Sequence, residues 1–464
     1  MGLTTEREKG AHLLRRFGLG ASEAELDYYL KDGLNGAIDM LLDYDRVDEG
    51  FEVDVESYRN QNGQLQPQVV GLWWTLRLVA TQRPLQEKMT VFWHDHFATS
   101  ASKVQSGPTI HQHNEVLRAN AVGNFRTFLT EISKDAAMLF WLDNQFNVAG
   151  KPNENFAREV MELFTLGVDN GYTEQDVREA ARAFTGWSVG RIGTGPRPKQ
   201  GYVFRPRLHD RGDKTVFGLT GPFTGEQVID ILCDMPETCE YITKKVWEWF
   251  AYPNPEPAMI SRMARRFQSD GMSIKTLLKE VMKSSEFYSP KAERAIFKSP
   301  VDFTIPTMRQ LGVGRVVQDA IAAAPENVRA RTAPIQVAYQ SMRNMGMQLL
   351  YPPDVAGWET GASWITSATM MERINWGNKL FGQGRGGAQI RFQSYPVFAS
   401  DPTPQGLAKK LVSVYDASIP SYKIPKLVEA AEKAANGQIT ARNANVVASA
   451  VSRLIFAAPE FQLM

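Results

Sequence analysis

The chain has 464 residues, 43% of them apolar and 22% charged, with 52 lysines and arginines against 51 aspartates and glutamates and a net charge of +1. This is the composition of a folded globular protein long enough to bury a large core without disulfide or metal staples. The charge balance excludes nucleic-acid binding that rests on bulk charge, though not a local basic patch, and no apolar run is long enough to span a bilayer.

The opening residues, Met1 to Gly10, are polar and carry no apolar h-region. No secretory signal is read there, so the expected location is the cytoplasm as written, or outside it if a leader has been removed. Cys233 and Cys239 make neither a disulfide scaffold nor a zinc ribbon. Two free thiols are expected over a bridge, whose formation the spacing does not forbid.

Helical periodicity dominates the chain order. Apolar residues recur three and four apart at Ala11–Leu14, Ala24–Leu30 and Ala37–Leu42. Ser22 and Glu25 form a capping-box pair at the start of the second segment. A polar loop over 51–66 is followed by helices over Val69–Thr81 and Leu85–Phe97, the latter opened by Pro84. Helical blocks are expected at His111–Thr130 and Asp135–Leu142. The two clearest helices are Asn153–Leu166 and Thr173–Gly186, with Gly167 and Gly186 at their C-caps.

Residues 188–225 are rich in glycine and proline and predict a long irregular insertion with a short β-hairpin. Helices resume from Gly225 to Met345, and again at Ile365–Leu380 and beyond 405. Breaks fall at 351–364 and 383–404. The expected fold is mainly α. It forms one globular unit over 1–464, with 1–187 and 226–464 as lobes flanking the insertion.

Five motifs have the residue types that chemistry needs. Phe92–Phe97 holds His94 and His96, with His111 and His113 close behind. A divalent metal on some of these with a carboxylate is one reading; histidines bonded to backbone at a core edge are the other, and the spacing matches no zinc-protease pattern. Asn153–Gly167 places Glu154 and Glu162 each four residues from Arg158, and Glu159 beside Glu162. Adjacent carboxylates near a cation can be driven to different pKa values, which is what a general acid and base require. A solvated helix face with salt bridges is the plain alternative. The apolar residues Phe156, Val160, Leu163, Phe164 and Leu166 argue against it, because they leave little of this helix to water.

Tyr172–Trp187 ends in Trp187, read as a core plug or a stacking platform. Leu208–Thr215 brings His209, Asp210 and Lys214 into one loop, either as a proton shuttle or metal ligand or as a capped turn. Tyr351–Trp358 sets Trp358 in a Pro/Gly frame, either lining a groove or anchoring the loop. Phosphate loops, nucleophile elbows and dinucleotide fingerprints are absent.

Taken together, the stretches Ala11–Gly20, Phe92–Phe97, Asn153–Gly167, Tyr172–Trp187, His209–Lys214, Pro352–Trp358 and Ala458–Phe461 resemble the bacterial proteins grouped as domain of unknown function 1800, over essentially the whole chain. The resemblance implies that His96, Asn153, Glu154, Asn155, Arg158, Glu159, Glu162, His209, Asp210 and Lys214 are the recurring polar positions, with His94 and His113 matching less firmly. It also implies frequent export and a sulfatase-like partner protein.

The expected function is a hydrolase or lyase on a polar, glycan-like polymer. Glu159, Glu162, His96, His209 and Asp210 are its catalytic candidates. Arg158, Asn153, Asn155, Lys214, Trp187 and Trp358 are expected to bind substrate. A metal enzyme using His94, His96 or His209 with a carboxylate, and a non-catalytic assembly module, are the alternatives.

Overall fold

The computed structural model describes residues 3–193, 199–323, 332–383 and 392–464. Helix starts follow the caps written in the sequence. Ser22 Oγ accepts a hydrogen bond from the Glu25 amide while the Glu25 carboxylate accepts one from the Ser22 amide, and Thr173 and Asp176 do the same. Gly167 and Gly186 hold φ of 94° and 81°, a conformation that ends a helix cheaply only with glycine.

Three helices carry the charged motifs. The first, α1 (Pro84–His96), is buried along its entire length. Its Glu87 and Lys88 are paired: Glu87 meets Arg118 at 2.5 Å and Trp74 Nε1 at 2.8 Å, and Lys88 meets Asp302. The second, α2 (Asn155–Glu162), buries Phe156, Ala157, Val160 and Met161 and presents its charges on the opposite side. Each large apolar side chain so removed from water contributes about 2 kcal/mol. The third, α3 (Glu174–Ala183), packs against it.

The 188–225 insertion holds the expected short hairpin and a second one. Strand β1 (Trp187–Ile192) pairs antiparallel with β2 (Lys199–Phe204), and β3 (Lys214–Val216) with β4 (Leu219–Gly221). The glycine-rich segment at the tip of the first hairpin falls partly on 194–198, outside the described residues. These two ladders are the only sheets among the described residues, so the fold is mainly α. The expected single block over His111–Thr130 is two helices, Gly107–Ala119 and Phe125–Ser133. Asn124 breaks the run, because its side chain caps the second helix through the Thr127 amide. The 383–404 break lies partly on 384–391, outside the described residues.

Two hydrophobic cores result. One gathers Leu13 to Ala292, including Phe92, Val160, Trp187 and Phe250 of α4 (Pro236–Phe250). The other joins Trp74 and its neighbours to Val301–Phe461. Trp249 packs against both. Cys233 and Cys239 are buried free thiols, and burial pushes both up to about 12. Among the described residues no helix is long and apolar enough to cross a membrane.

Candidate functional site

At the end of α2 the backbone widens. The Glu159 carbonyl accepts from both Leu163 and Phe164, the Met161 carbonyl accepts from Leu166, and Thr165 Oγ1 donates to the Val160 carbonyl at 2.6 Å. The Phe164 carbonyl is thereby turned to His96 Nε2, 3.3 Å away at the end of α1. A carbonyl only accepts, so His96 carries its proton on Nε2, and burial drives its pKa far down. Tyr241 of α4 closes the same corner, its hydroxyl donating to the Leu163 carbonyl at 3.2 Å.

Arg158 is held by three acids. It meets Glu174 at 2.8 Å on both guanidinium nitrogens, Glu154 at 3.2 Å and Glu162 at 3.3 Å. Glu159, one residue on, has no side-chain hydrogen bond or ion pair among the described residues. It is half-buried. Desolvation, the adjacent Glu162 and the more distant Asp354 push its carboxyl up to about 7, against the pull of Arg158.

Asp354 belongs to the Pro352–Trp358 turn, which brings a second carboxyl into reach. Its Oδ1 accepts from Ala356, and Gly357, at φ 89°, turns the chain so that the Trp358 amide donates to Asp95 Oδ1 at 2.9 Å. A Cβ at 357 would stand 2.5 Å from that oxygen, so the approach requires glycine. Asp95 is buried, and desolvation, with a smaller push from Asp354, raises it to about 6 despite the Trp358 amide and Lys245. Lys245 on α4 is lowered by burial and supported by the charges of Asp95 and Glu248.

Asp95 and Lys245 line a cavity of about 500 Å³, walled by Phe92, Trp249, Trp358 and Trp364. This is the size and composition of a small-molecule site. Asp354 acts on both Glu159 and Asp95, so the two raised carboxyls share one electrostatic neighbourhood at the junction of α1, α2, α4 and the 352–358 turn.

The family model described as "Protein of unknown function (DUF1800)" matches residues 12–463 of the chain. The chain belongs to the DUF1800 family. No curated protein and no solved structure matches it.

In this DUF1800 protein the sequence candidates divide into separate sets of neighbours. Glu159, Glu162, Arg158 and His96 belong to the junction. Asn153 and Asn155 serve the loop before α2: Asn147 Oδ1 accepts from the Asn153 amide at 2.9 Å, and Asn155 Nδ2 donates to the Leu142 carbonyl at 3.1 Å.

The His209–Lys214 loop is clamped to α3. Asp210 binds Arg182 at 2.8 Å, which holds its carboxyl below the usual range, and its amide donates to Thr185 Oγ1 at 2.8 Å. His209 Nδ1 donates to the Thr185 carbonyl at 2.9 Å. Lys214 is buried and donates to the carbonyls of Asp210 and Gly212 at 2.7 and 2.8 Å, which turns it inward rather than toward a substrate. Trp187, offered above as a stacking platform or a plug, is a plug: it is 1% exposed and sits among Phe156, Phe184 and Tyr202.

The candidate metal ligands are not gathered. His94 Nε2 accepts from the Leu350 amide at 3.1 Å, and its ring lies between Trp74 and Trp358. His96 and His209 are bonded to different backbone carbonyls. Among the described residues, no three His, Cys, Asp or Glu side chains are placed to hold a metal ion. His113 is spent on Asp135 at 2.8 Å.

The residues that sequence reading missed are Asp95, Asp354, Lys245 and Trp249. Two of them were inside motifs already singled out, where histidine and tryptophan drew attention away from the acid. Lys245 and Trp249 have no local signal, since only the tertiary approach of α4 to α1 places them.

Proposed function

We propose that this DUF1800 protein is a hydrolase or lyase acting on a polar, glycan-like polymer, with Glu159 transferring the proton. The observation that carries this reading is the isolation of Glu159. Three neighbouring acids bind Arg158, while Glu159 makes no ion pair, feels Arg158 only through space and is raised to about 7. A proton affinity near working pH is what a general acid or base needs, and such groups contribute about 10²–10⁴ in rate.

Arg158 fixes Glu162 at Glu159's side, where its charge keeps the Glu159 proton in place. Asp95, raised to about 6, is the second proton carrier. The three tryptophans around the neighbouring cavity offer flat apolar faces to a sugar ring, and the charged groups among them suit its hydroxyls. His96 supports the end of α2 through the Phe164 carbonyl, and the His209 loop braces α3.

The test is release of reducing ends from a panel of neutral and acidic polysaccharides by wild-type protein and by Glu159→Gln. On whichever polymer is cleaved, Glu159→Gln is expected to lose about 10²–10⁴ in turnover without any fall in its thermal midpoint. Full turnover in that variant removes the reading.

A further inference from the structure

We infer that the aromatic-walled cavity takes a sugar-like ring bearing one negative charge, and that Lys245 Nζ anchors that charge. The inference rests on the glycan reading above and names the substrate class for the same site.

Among the described residues, Lys245 is the single cation lining the cavity, against three acids: Asp95, Glu248 and Asp302. Each acid already has a partner. Asp302 is bound by Lys88 and by Ser299 Oγ at 2.7 Å, Glu248 Oε1 accepts from the Asn254 amide at 3.3 Å, and Asp95 accepts from Trp358. The ammonium has none: it makes no hydrogen bond or ion pair among the described residues, and it stands 5.8 Å from the centre of the Tyr241 ring. Asp95 and Glu248 act on it through space without closing on it.

A half-buried ammonium whose neighbouring acids are otherwise engaged is a ready anion site. The same acids limit what that anion can be. The carboxylates of the wall repel a phosphate monoester, which carries close to two charges, about twice as strongly as a single negative charge, and only one lysine offsets that repulsion. Trp249, Trp358 and Trp364 supply ring faces on which a pyranose can lie. A uronate and a sulfate ester both meet this description.

The experiment is tryptophan-fluorescence titration of the full chain with galacturonosyl-galactose, a monosulfated galactose disaccharide, neutral galactobiose and glucose 6-phosphate. Saturable binding of galacturonosyl-galactose, of the sulfated disaccharide or of both is expected. It should weaken at least about tenfold in Lys245→Met and hold within a few-fold in Lys245→Arg; which of the two binds identifies the source of the charge. The inference is overturned if galactobiose or glucose 6-phosphate binds as tightly, if neither monoanionic sugar binds, or if Lys245→Met binds like wild type. Its failure is separable from failure of the catalytic reading. Loss of cleavage in Glu159→Gln on a neutral polymer, with no binding of charged sugars, sinks the inference alone. Charged-sugar binding that depends on Lys245, with cleavage unchanged in Glu159→Gln, sinks the catalytic assignment alone.

Discussion

At Glu159 the missing cation has a thermodynamic sign. The carboxyl titrates near 4.5 in the unfolded chain and at about 7 in the fold, so between these values the folded state binds more protons. Stability therefore falls as pH rises through the window from 4.5 to 7 and stays lower above it. Glutamine resembles the protonated acid and removes the effect. Glu159→Gln is expected to raise the thermal midpoint at pH 8, by an equivalent of roughly 1 kcal/mol after solvent screening, and to leave it unchanged near pH 4. Equal midpoints at pH 8 would contradict the assigned environment. The variant that loses turnover should thus be the more stable one, which separates a chemical role from a structural one.

At the scale of elements, the 352–358 turn does more than connect helices. It delivers Asp354 toward Glu159, the Trp358 amide to Asp95, and the Trp358 ring to the cavity. Gly357→Ala forces a side chain into a positive φ and against Asp95. It is expected to cost roughly 1–3 kcal/mol, seen as a lower urea midpoint with altered tryptophan emission. Unchanged emission and midpoint would show that the turn yields freely.

Elements of this kind were unevenly legible in the sequence. The capping boxes at Ser22 and Thr173 and the glycine stops at 167 and 186 are local, and local chemistry can be read along one chain. The charged face of α2 was legible as well, because i, i+4 spacing fixes which acids meet Arg158. That Glu159 would be the acid left over was not, since Glu174 reaches Arg158 from another helix. A short hairpin in the insertion was legible, but that there are two was not: Gly190 pairs with Gly201, and a ladder crossing glycines has no alternating apolar pattern to mark its extent.

Over the whole molecule, buried imidazoles dominate the response to acid. Burial lowers His12 to about 2 and His94 to about 3, and it holds His96 far below its ordinary value. The unfolded chain protonates these groups below pH 6.5 while the folded chain does not, so stability falls as pH drops from 6.5. The loss is at most about 1.4 kcal/mol per pH unit for each histidine. Glu159 and Asp95 act in the opposite direction over part of that window, but three imidazoles outnumber two carboxyls. The urea midpoint is expected to be clearly lower at pH 4.5 than at pH 7; an equal or higher midpoint would show that the imidazoles reach solvent.

Trp249 leans on both cores, and the hollow beside it is walled by Phe92 from one and by Trp358 and Trp364 from the other. Any guest seated there touches both halves of the molecule at once. Its affinity then opposes their separation, like a wedge mortared into a seam, and the loaded protein should come apart in one step rather than half by half.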